Sequence, residues 1–116
     1  METVEIELSE NSYKIDIGYQ FLSKETFSGL LENKEVLLVY DKNISGPVLS
    51  HTESILKPLS NEFLTIGLEA SEENKSQESI DIIHNLLLEK GFSRQCILVG
   101  LGGGIICDLC GFAAAT

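Results

Sequence analysis

The sequence has few of the residues that mark secreted or membrane-spanning proteins. Its 116 residues include three cysteines, two prolines and no tryptophan. An odd, low cysteine count does not suit a disulfide scaffold and favours a reducing, cytoplasmic location. No apolar run approaches the roughly 20 residues of a membrane-spanning helix. The N-terminal residues also lack the basic and apolar regions of a signal peptide.

Positive charge is scarce as well. Eight Lys and Arg residues stand against 18 Asp and Glu, which gives a formal net charge of −10 at pH 7. The basic residues form no cluster, so neither a nucleic acid nor an anionic membrane is an expected partner. A chain of this length can still bury a core of its own. The composition therefore predicts one soluble, acidic domain.

The hydrophobic pattern predicts a hairpin followed by alternating helices and strands. Apolar and polar residues alternate over residues 4–8 and 13–17, as in two antiparallel strands with one solvent-facing side. Further strands are predicted at residues 35–40, 63–66 and 96–99. Helices are predicted at residues 21–31 and from residue 46 or 47 to a stop before Pro58. Two more helices are predicted, one around residues 80–87 that stops at Gly91 and one that begins at residue 105. This order predicts an α/β fold in which helices flank a parallel sheet.

The C-terminal residues 105–116 are apolar apart from Asp108. A finished domain rarely stops inside a segment that favours burial. We therefore expect either that the chain is a fragment of a longer protein or that a partner covers this end.

Three consecutive glycines, residues 102–104, join the last predicted strand to the last helix. Glycines at such a junction let backbone N–H groups approach an anion, and the helix start adds unpaired N–H groups. The spacing nearly matches the dinucleotide-binding pattern G-x-G-x-x-G, with Cys107 in place of the last glycine. The junction is thus either a phosphate or pyrophosphate site or a tight structural turn.

Polar residues also follow the two preceding strands. Asp41 and Asn43 come after one, and Glu72 and Lys75 after the next. Because the carboxyl ends of parallel strands meet at one edge of a sheet, we expect all three junctions to converge on one crevice. Asp108, one turn into the last helix, either complements the helix dipole or accepts hydrogen bonds from a ligand there.

Cys107 and Cys110 form a C-x-x-C pattern, which occurs both in redox centres and in zinc sites. A thioredoxin-like centre is disfavoured because the glycine triplet precedes it and no Trp or Pro flanks it. A zinc site is disfavoured because Cys96 lies in a predicted strand, and His51 and His84 have no partner at metal-ligand spacing. We predict two small core residues on a packed helix, and two histidines at the surface or its boundary.

Four segments resemble 3-dehydroquinate synthases. Residues 102–116 are similar to the G-G-G-x-x-G-D-x-x-G-F-x-A-[AS]-[ST] stretch of that family, and residues 72–76 to its G-E-x-x-K-S segment. Residues 41–43 resemble its [DT]-x-N segment, and residues 13–18 its Y-x-I-x-I-G strand. The matches occur in the same order and span essentially the whole chain. Cys107 and Ser71 depart from the pattern, since each stands where the family has glycine.

The resemblance implies that residues 1–116 are an N-terminal, Rossmann-like NAD-binding domain. In the whole enzyme, NAD transiently oxidises a hydroxyl of 3-deoxy-D-arabino-heptulosonate 7-phosphate, and phosphate elimination, reduction and ring closure give 3-dehydroquinate, in the shikimate route to aromatic amino acids. The family's zinc or cobalt ligands and most catalytic side chains lie in a C-terminal helical domain that this chain lacks. We therefore expect no catalytic or metal-binding residue here and no activity from this chain alone. Family members often form homodimers through this domain.

The same resemblance implies which residues bind NAD. Asp41 and Asn43 would meet its adenosine side, and Glu72 and Lys75 its ribose and phosphate groups. The implied contacts of the pyrophosphate are Gly102, Gly103, Gly104 and Ile105. Asp108 would meet the nicotinamide end.

Three other interpretations stay open. One is a related sugar-phosphate cyclase, of the kind that makes deoxyinosose or valiolone rings. A second is the iron-dependent alcohol or glycerol-phosphate dehydrogenase group, although the continuation over residues 111–115 argues against it. The third is a stand-alone nucleotide-binding module whose apolar C-terminus packs on a partner.

Overall fold

The structure is a computed structural model that describes residues 2–8, 13–18, 22–27, 29–71 and 77–116. Its elements follow the predicted order of a hairpin and then alternating helices and strands. In chain order they are β1 (Glu2–Ile6), β2 (Tyr13–Ile17), α1 (Lys24–Phe27), β3 (Glu35–Asp41), α2 (Gly46–Leu59), β4 (Glu62–Leu68), α3 (Gln77–Glu89), β5 (Ile97–Leu101) and α4 (Gly104–Ala115).

The central strand of the parallel sheet is β3. The strand order is β4-β3-β5, and both neighbours run parallel to β3. The side chains from Val36 to Val39 are fully buried, at 0% exposure. A strand covered on both faces needs apolar residues at consecutive positions, which explains why this segment shows no alternation. The predicted α/β fold class is confirmed.

Two hydrophobic clusters lie on opposite faces of the sheet. Alternate side chains of β3 point to opposite faces, so Leu37 and Val39 join one cluster and Val36 and Leu38 the other. The first cluster includes the buried residues of α3 and α4, namely Ile80, Ile83, Ile106, Leu109, Cys110 and Ala113. The second includes Leu31 and Leu56. Helices therefore flank the sheet on both sides.

The N-terminal hairpin forms as predicted but leaves its apolar side exposed. Val4 of β1 lies opposite Ile15 of β2 in an antiparallel ladder. These two side chains are 42% and 46% exposed, and Ile17 is 53% exposed. The prediction that only one face would meet solvent is wrong for the described residues, because β1 and β2 make a separate two-stranded sheet.

The helix predicted over residues 21–31 is much shorter. Within the described part of that segment, only Lys24–Phe27 is helical, and residues 21 and 28 lie outside the described residues. Gly29 adopts a φ of +84°, which no right-handed helix can accommodate. The turn that follows leaves Leu30 exposed and buries Leu31 in the second cluster.

Helix α2 extends through Pro58, where a stop was predicted. Its start is fixed by Ser45, whose Oγ accepts a hydrogen bond from the Val48 N–H at 3.3 Å. Pro58 lies in the last turn and removes the N–H that would bond to the Ser54 carbonyl. Ser54 and Pro58 are both exposed, so water can hydrate the Ser54 carbonyl and the helix tolerates the proline.

The stop predicted at Gly91 is confirmed. Gly91 adopts a φ of +70° just after α3 and donates its N–H to the Leu88 carbonyl at 3.1 Å. The Phe92 N–H donates to the Leu87 carbonyl at 3.0 Å. This pair of bonds is the Schellman ending, which requires a left-handed residue and so favours glycine.

Both outer strands are longer at their carboxyl ends than predicted. β4 ends at Leu68 rather than at residue 66, and β5 spans Ile97–Leu101 rather than 96–99. Cys96 instead closes a turn by donating its N–H to the Ser93 carbonyl at 3.1 Å. The strand β5 is half-buried rather than fully buried, because it lies at an edge of the described three-stranded sheet. None of the helices described is long and apolar enough to cross a membrane.

Candidate functional site

The carboxyl ends of the three parallel strands lie level with one another. Asp41, the last residue of β3, is opposite Leu68, the last residue of β4. Tyr40 is opposite Leu101, the last residue of β5. The Lys42 N–H donates to the Leu68 carbonyl at 2.9 Å and so links the first two junctions. The segments that follow the strands therefore start from one edge of the sheet, as in ligand-binding crevices of open parallel sheets.

A local hydrogen bond orders the junction after β3. The Asn43 N–H donates to Oδ1 of Asp41 at 2.8 Å. An aspartate that holds the backbone two residues ahead makes a tight Asx turn. Asp41 is half-buried and Asn43 is exposed, so both side chains remain at the crevice edge.

Gly102 joins the junctions of β3 and β5 by close contact. A Cβ at this position would lie 3.0 Å from Cβ and Cγ1 of Ile106 and 3.3 Å from Cβ of Asp41. Ile106 is fully buried and cannot move aside freely. The first glycine of the triplet is therefore required for packing.

Gly103 and Gly104 are open, in contrast to Gly102. A Cβ at either position would meet no atom within 4 Å. Gly103 is the N-cap of α4 and offers no side chain to its first turn. Because the first N–H groups of a helix have no intrahelical acceptors, this turn presents donors and a positive dipole end at the crevice. An anion that contacts these groups would meet no Cβ.

Gly100, in the interior of β5, is a structural residue that the sequence prediction missed. A Cβ there would lie 3.2 Å from Cβ and 3.4 Å from Sγ of Cys110. The close helix–strand packing that the third glycine of a dinucleotide pattern normally allows is thus provided by the strand. The sequence offers no signal for this role, because the predicted strand ends at residue 99, before Gly100.

The two cysteines of the C-x-x-C pattern differ in environment. Cys110 is buried against β5, and burial raises the pKa of its thiol to about 11, with Cys107 as the second cause. Cys107 is exposed, so the prediction of two core residues is wrong for Cys107. The reason is helical geometry, since α4 turns Ile106, Leu109, Cys110 and Ala113 toward the core.

Asp108 lies beside Cys107 on the exposed side of α4. Both residues line an open cleft of about 590 Å³ between the start of α3 and the middle of α4. The other lining residues are Gln77, Ile80, Leu109, Gly111 and Phe112. The Asp108 side chain is therefore exposed at this cleft rather than buried in the core.

Two of the predicted site residues, Glu72 and Lys75, lie outside the described residues. Within the described part of the chain, no three His, Cys, Asp or Glu side chains come together as a metal site. The divalent metal implied by the resemblance therefore finds no fitting ligand set among these residues.

Both histidines have backbone partners. His51 is exposed, and its Nε2 lies 3.4 Å from the Leu22 carbonyl oxygen. The half-buried His84 has its Nε2 3.0 Å from the Ala113 carbonyl oxygen and 3.3 Å from Oγ1 of Thr116. The prediction of surface or boundary histidines is confirmed.

The fold and the glycine turn define a parallel α/β domain with an open helix start at the carboxyl edge of its sheet. A solved structure with this fold is 2-deoxy-scyllo-inosose synthase complexed with carbaglucose-6-phosphate, NAD⁺ and Co²⁺. Its TM-score is 0.82 at 16% identity, over 99% of this chain and 31% of that one. The sequence comparisons point to similar proteins.

The family model for the N-terminal part of 3-dehydroquinate synthase matches residues 65–116. The 3-dehydroquinate synthase of Acinetobacter baumannii (strain AYE) is 35% identical over 115 residues, which is 99% of this chain and 32% of the relative. That of Acidithiobacillus ferrooxidans (strain ATCC 53993 / BNL-5-31) is 37% identical over 117 residues, 100% of this chain and 32% of the relative. Over nearly all of its length the chain is similar to these synthases, and it spans about a third of the length of these relatives.

Proposed function

We propose that this chain is the N-terminal NAD-binding domain of a 3-dehydroquinate synthase, extending over residues 1–116. The observation that carries the proposal is the start of α4, where the N-cap is Gly103 and no side chain accepts from the first turn. A pyrophosphate is the dianionic group that such a helix start favours. The level strand ends provide the crevice for the rest of the dinucleotide.

The proposed contacts follow the crevice from one junction to the next. Asp41 and Asn43 bind the adenosine side, Glu72 and Lys75 bind ribose and phosphate, and Asp108 meets the nicotinamide end. The pyrophosphate contacts are Gly102, Gly103, Gly104 and Ile105. The Asx turn of Asp41 supports its role, because it holds this residue at the crevice edge, with its Cβ 3.3 Å from the Cβ position of Gly102.

In the full-length enzyme, bound NAD would supply a temporary hydride acceptor. Oxidation of a hydroxyl on the sugar phosphate 3-deoxy-D-arabino-heptulosonate 7-phosphate gives a ketone. That ketone acidifies the neighbouring C–H, whose loss expels phosphate. This chain's part in the reaction is to bind and orient the dinucleotide, and we expect no turnover from the chain alone. The divalent metal, substrate contacts and catalytic side chains would come from the rest of the enzyme, which we propose acts in the cytoplasm as a homodimer.

Calorimetric titration of NAD into the purified chain tests the proposal. We expect saturable binding that disappears in Gly103→Val, because a side chain there projects into the space above the helix start. Since a Cβ at Gly103 meets no protein atom, the variant should keep its circular dichroism spectrum. Ala114→Val is the control, because Ala114 is exposed on the same helix but does not line the cleft that contains Asp108. Equal binding by both variants, or no binding by a folded wild-type chain, would refute a cofactor site at this turn.

A related sugar-phosphate cyclase is the second candidate, favoured by the fold it shares with 2-deoxy-scyllo-inosose synthase. Both candidates use the same dinucleotide domain in this proposal, so NAD titration does not separate them. Assaying the full-length protein with each sugar phosphate does: release of phosphate from the heptulosonate alone supports the synthase, and release from a hexose 6-phosphate supports the other cyclase.

A further inference from the structure

The C-x-x-C pair on α4 has no part in the proposed dinucleotide site. Cys107 is exposed, and its Sγ lies 3.8 Å from the Gly102 carbonyl oxygen, at the mouth of the cleft between α3 and α4. Cys110, one turn later, is buried with its Sγ 3.4 Å from the Cβ position of Gly100. One thiol is accessible to a reagent in solution, and its neighbour is buried. In dithiol exchange the accessible thiol reacts first, and a neighbouring thiol then displaces the product.

We propose that Cys107 and Cys110 form a reversible thiol–disulfide site, in which Cys107 reacts with a small-molecule disulfide and Cys110 displaces the product. The Cys107 thiolate attacks one sulfur of the disulfide, which breaks the S–S bond and releases one thiol. The Cys110 thiolate then attacks Sγ of Cys107 and releases the second thiol. The two cysteines lose two electrons and two protons in total, and the small disulfide is reduced to two thiols.

The spacing of the two cysteines on one helix supports the second step. Both lie on α4, and side chains three positions apart on a helix have Cβ atoms about 5–6 Å apart. A disulfide needs a Cβ–Cβ distance of about 3.5–4.5 Å. Closure therefore requires that the turn over residues 107–110 tighten by about 1–2 Å. Glycines at positions 104 and 111 flank this turn and make it easier to deform than a run of larger residues.

Closure would also strain the start of α4. The Cys107 N–H donates to the Gly103 carbonyl at 3.1 Å, and Cys110 packs against Gly100. Moving either cysteine alters one of these contacts. We therefore expect the oxidised chain to show changed amide chemical shifts at Gly103 and Gly104, whether or not the chain binds NAD.

Treatment with oxidised glutathione tests the site. In a Cys96→Ser background, which removes the third thiol, we expect the folded chain to lose both remaining thiols, to carry no adduct and to form no disulfide-linked dimer. Peptide mapping should find a bond between residues 107 and 110. Further substitution of Cys110→Ala should trap one glutathione on Cys107, and Cys107→Ser should prevent any reaction. A persistent adduct in the Cys96→Ser chain, a disulfide-linked dimer or two free thiols would overturn the proposal.

The closing step has a pH dependence that distinguishes Cys110 from a surface cysteine, for which the rate would level off above about pH 8.5. Because burial raises the pKa of Cys110 to about 11, the attacking thiolate is a minor form at neutral pH. The rate at which a preformed Cys107 adduct closes should rise about tenfold per pH unit between about pH 7 and pH 10. A pH-independent rate over this range would contradict the role of Cys110. The Cys96→Ser chain suffices for this measurement, so the test does not depend on whether Cys110→Ala folds.

Discussion

Helices α2 and α4 both begin at the carboxyl edge of the sheet, yet their first turns are completed differently. At α2, Ser45 supplies its own oxygen to the Val48 N–H. At α4, the equivalent position is Gly103, which has no side chain to offer and no protein atom near its Cβ position. A cap residue normally satisfies one of the unpaired donors of a helix start. A side chain of the protein therefore accepts a hydrogen bond from the first turn of α2, whereas the N–H groups of the first turn of α4 are left for an acceptor from outside the protein.

The glycine turn itself contains the same contrast on a smaller scale. Position 102 needs glycine because Ile106 and Asp41 fill the space that a Cβ would occupy, whereas a Cβ at Gly103 or Gly104 would meet no atom within 4 Å. Packing explains the first residue and does not explain the other two. A bound pyrophosphate is the explanation that the proposed function offers for them.

The largest effect is expected from replacing the packed glycine. Gly102→Ala introduces a Cβ 3.0 Å from the buried Ile106 side chain, and overpacking of this kind costs about 1–3 kcal/mol. Urea denaturation measures the loss in unfolding free energy. Gly104→Ala makes the same change at an open position and should be neutral or slightly stabilising. Equal destabilisation by both variants would remove the distinction between packed and open glycines.

An intermediate effect is expected from giving α4 the cap that α2 already has. Gly103→Asp supplies an acceptor to the first turn and places a negative charge where the pyrophosphate is proposed to bind. We expect NAD affinity to fall about tenfold, or about 1.4 kcal/mol, with little change in stability. Ser45→Asp adds the same charge to the start of α2, and its effect on NAD affinity should be smaller. If Ser45→Asp had the larger effect, the pyrophosphate would not lie at α4.

The smallest effect concerns the helix that is already capped. Ser45→Ala removes the acceptor for the Val48 N–H and should lower the free energy of unfolding by about 1 kcal/mol. Thermal denaturation followed by circular dichroism would measure it. Ser50→Ala, on the exposed side of the same helix, is the control and should cost nothing, because alanine favours a helix interior. A null result at residue 45 would mean that water caps α2 as well as serine does.

The sequence predicted the order of elements well because local patterns determine it. The unbroken apolar run at residues 36–39 indicated a strand buried on two faces, and the structure has β3 there. The stop at Gly91 followed from the left-handed conformation that ends a helix. Periodicity carries no information about which strands are neighbours, so the central position of β3 appears only in the structure.

The candidate site was predicted in part for similar reasons. The glycine triplet and Asp41 were found from their positions after strands, and parallel registration brings their junctions together. The roles of Gly100 and Cys107 could not be predicted, because each depends on how α4 is rotated about its axis when it packs on the sheet. Pro58 misled the prediction because solvent exposure, which a sequence does not display, makes its missing hydrogen bond tolerable.

The position of β3 has a consequence for synthesis on the ribosome. β3 precedes both of its partners in the chain, and the second partner, β5, ends at Leu101. While the chain between Leu68 and Ile97 is being translated, β3 can pair with β4 but must wait for β5. An apolar strand with one unpaired edge is a template for association with other chains. The nascent protein thus keeps one apolar strand edge unpaired until β5 is made, and a chaperone near the exit tunnel would protect that edge over this interval.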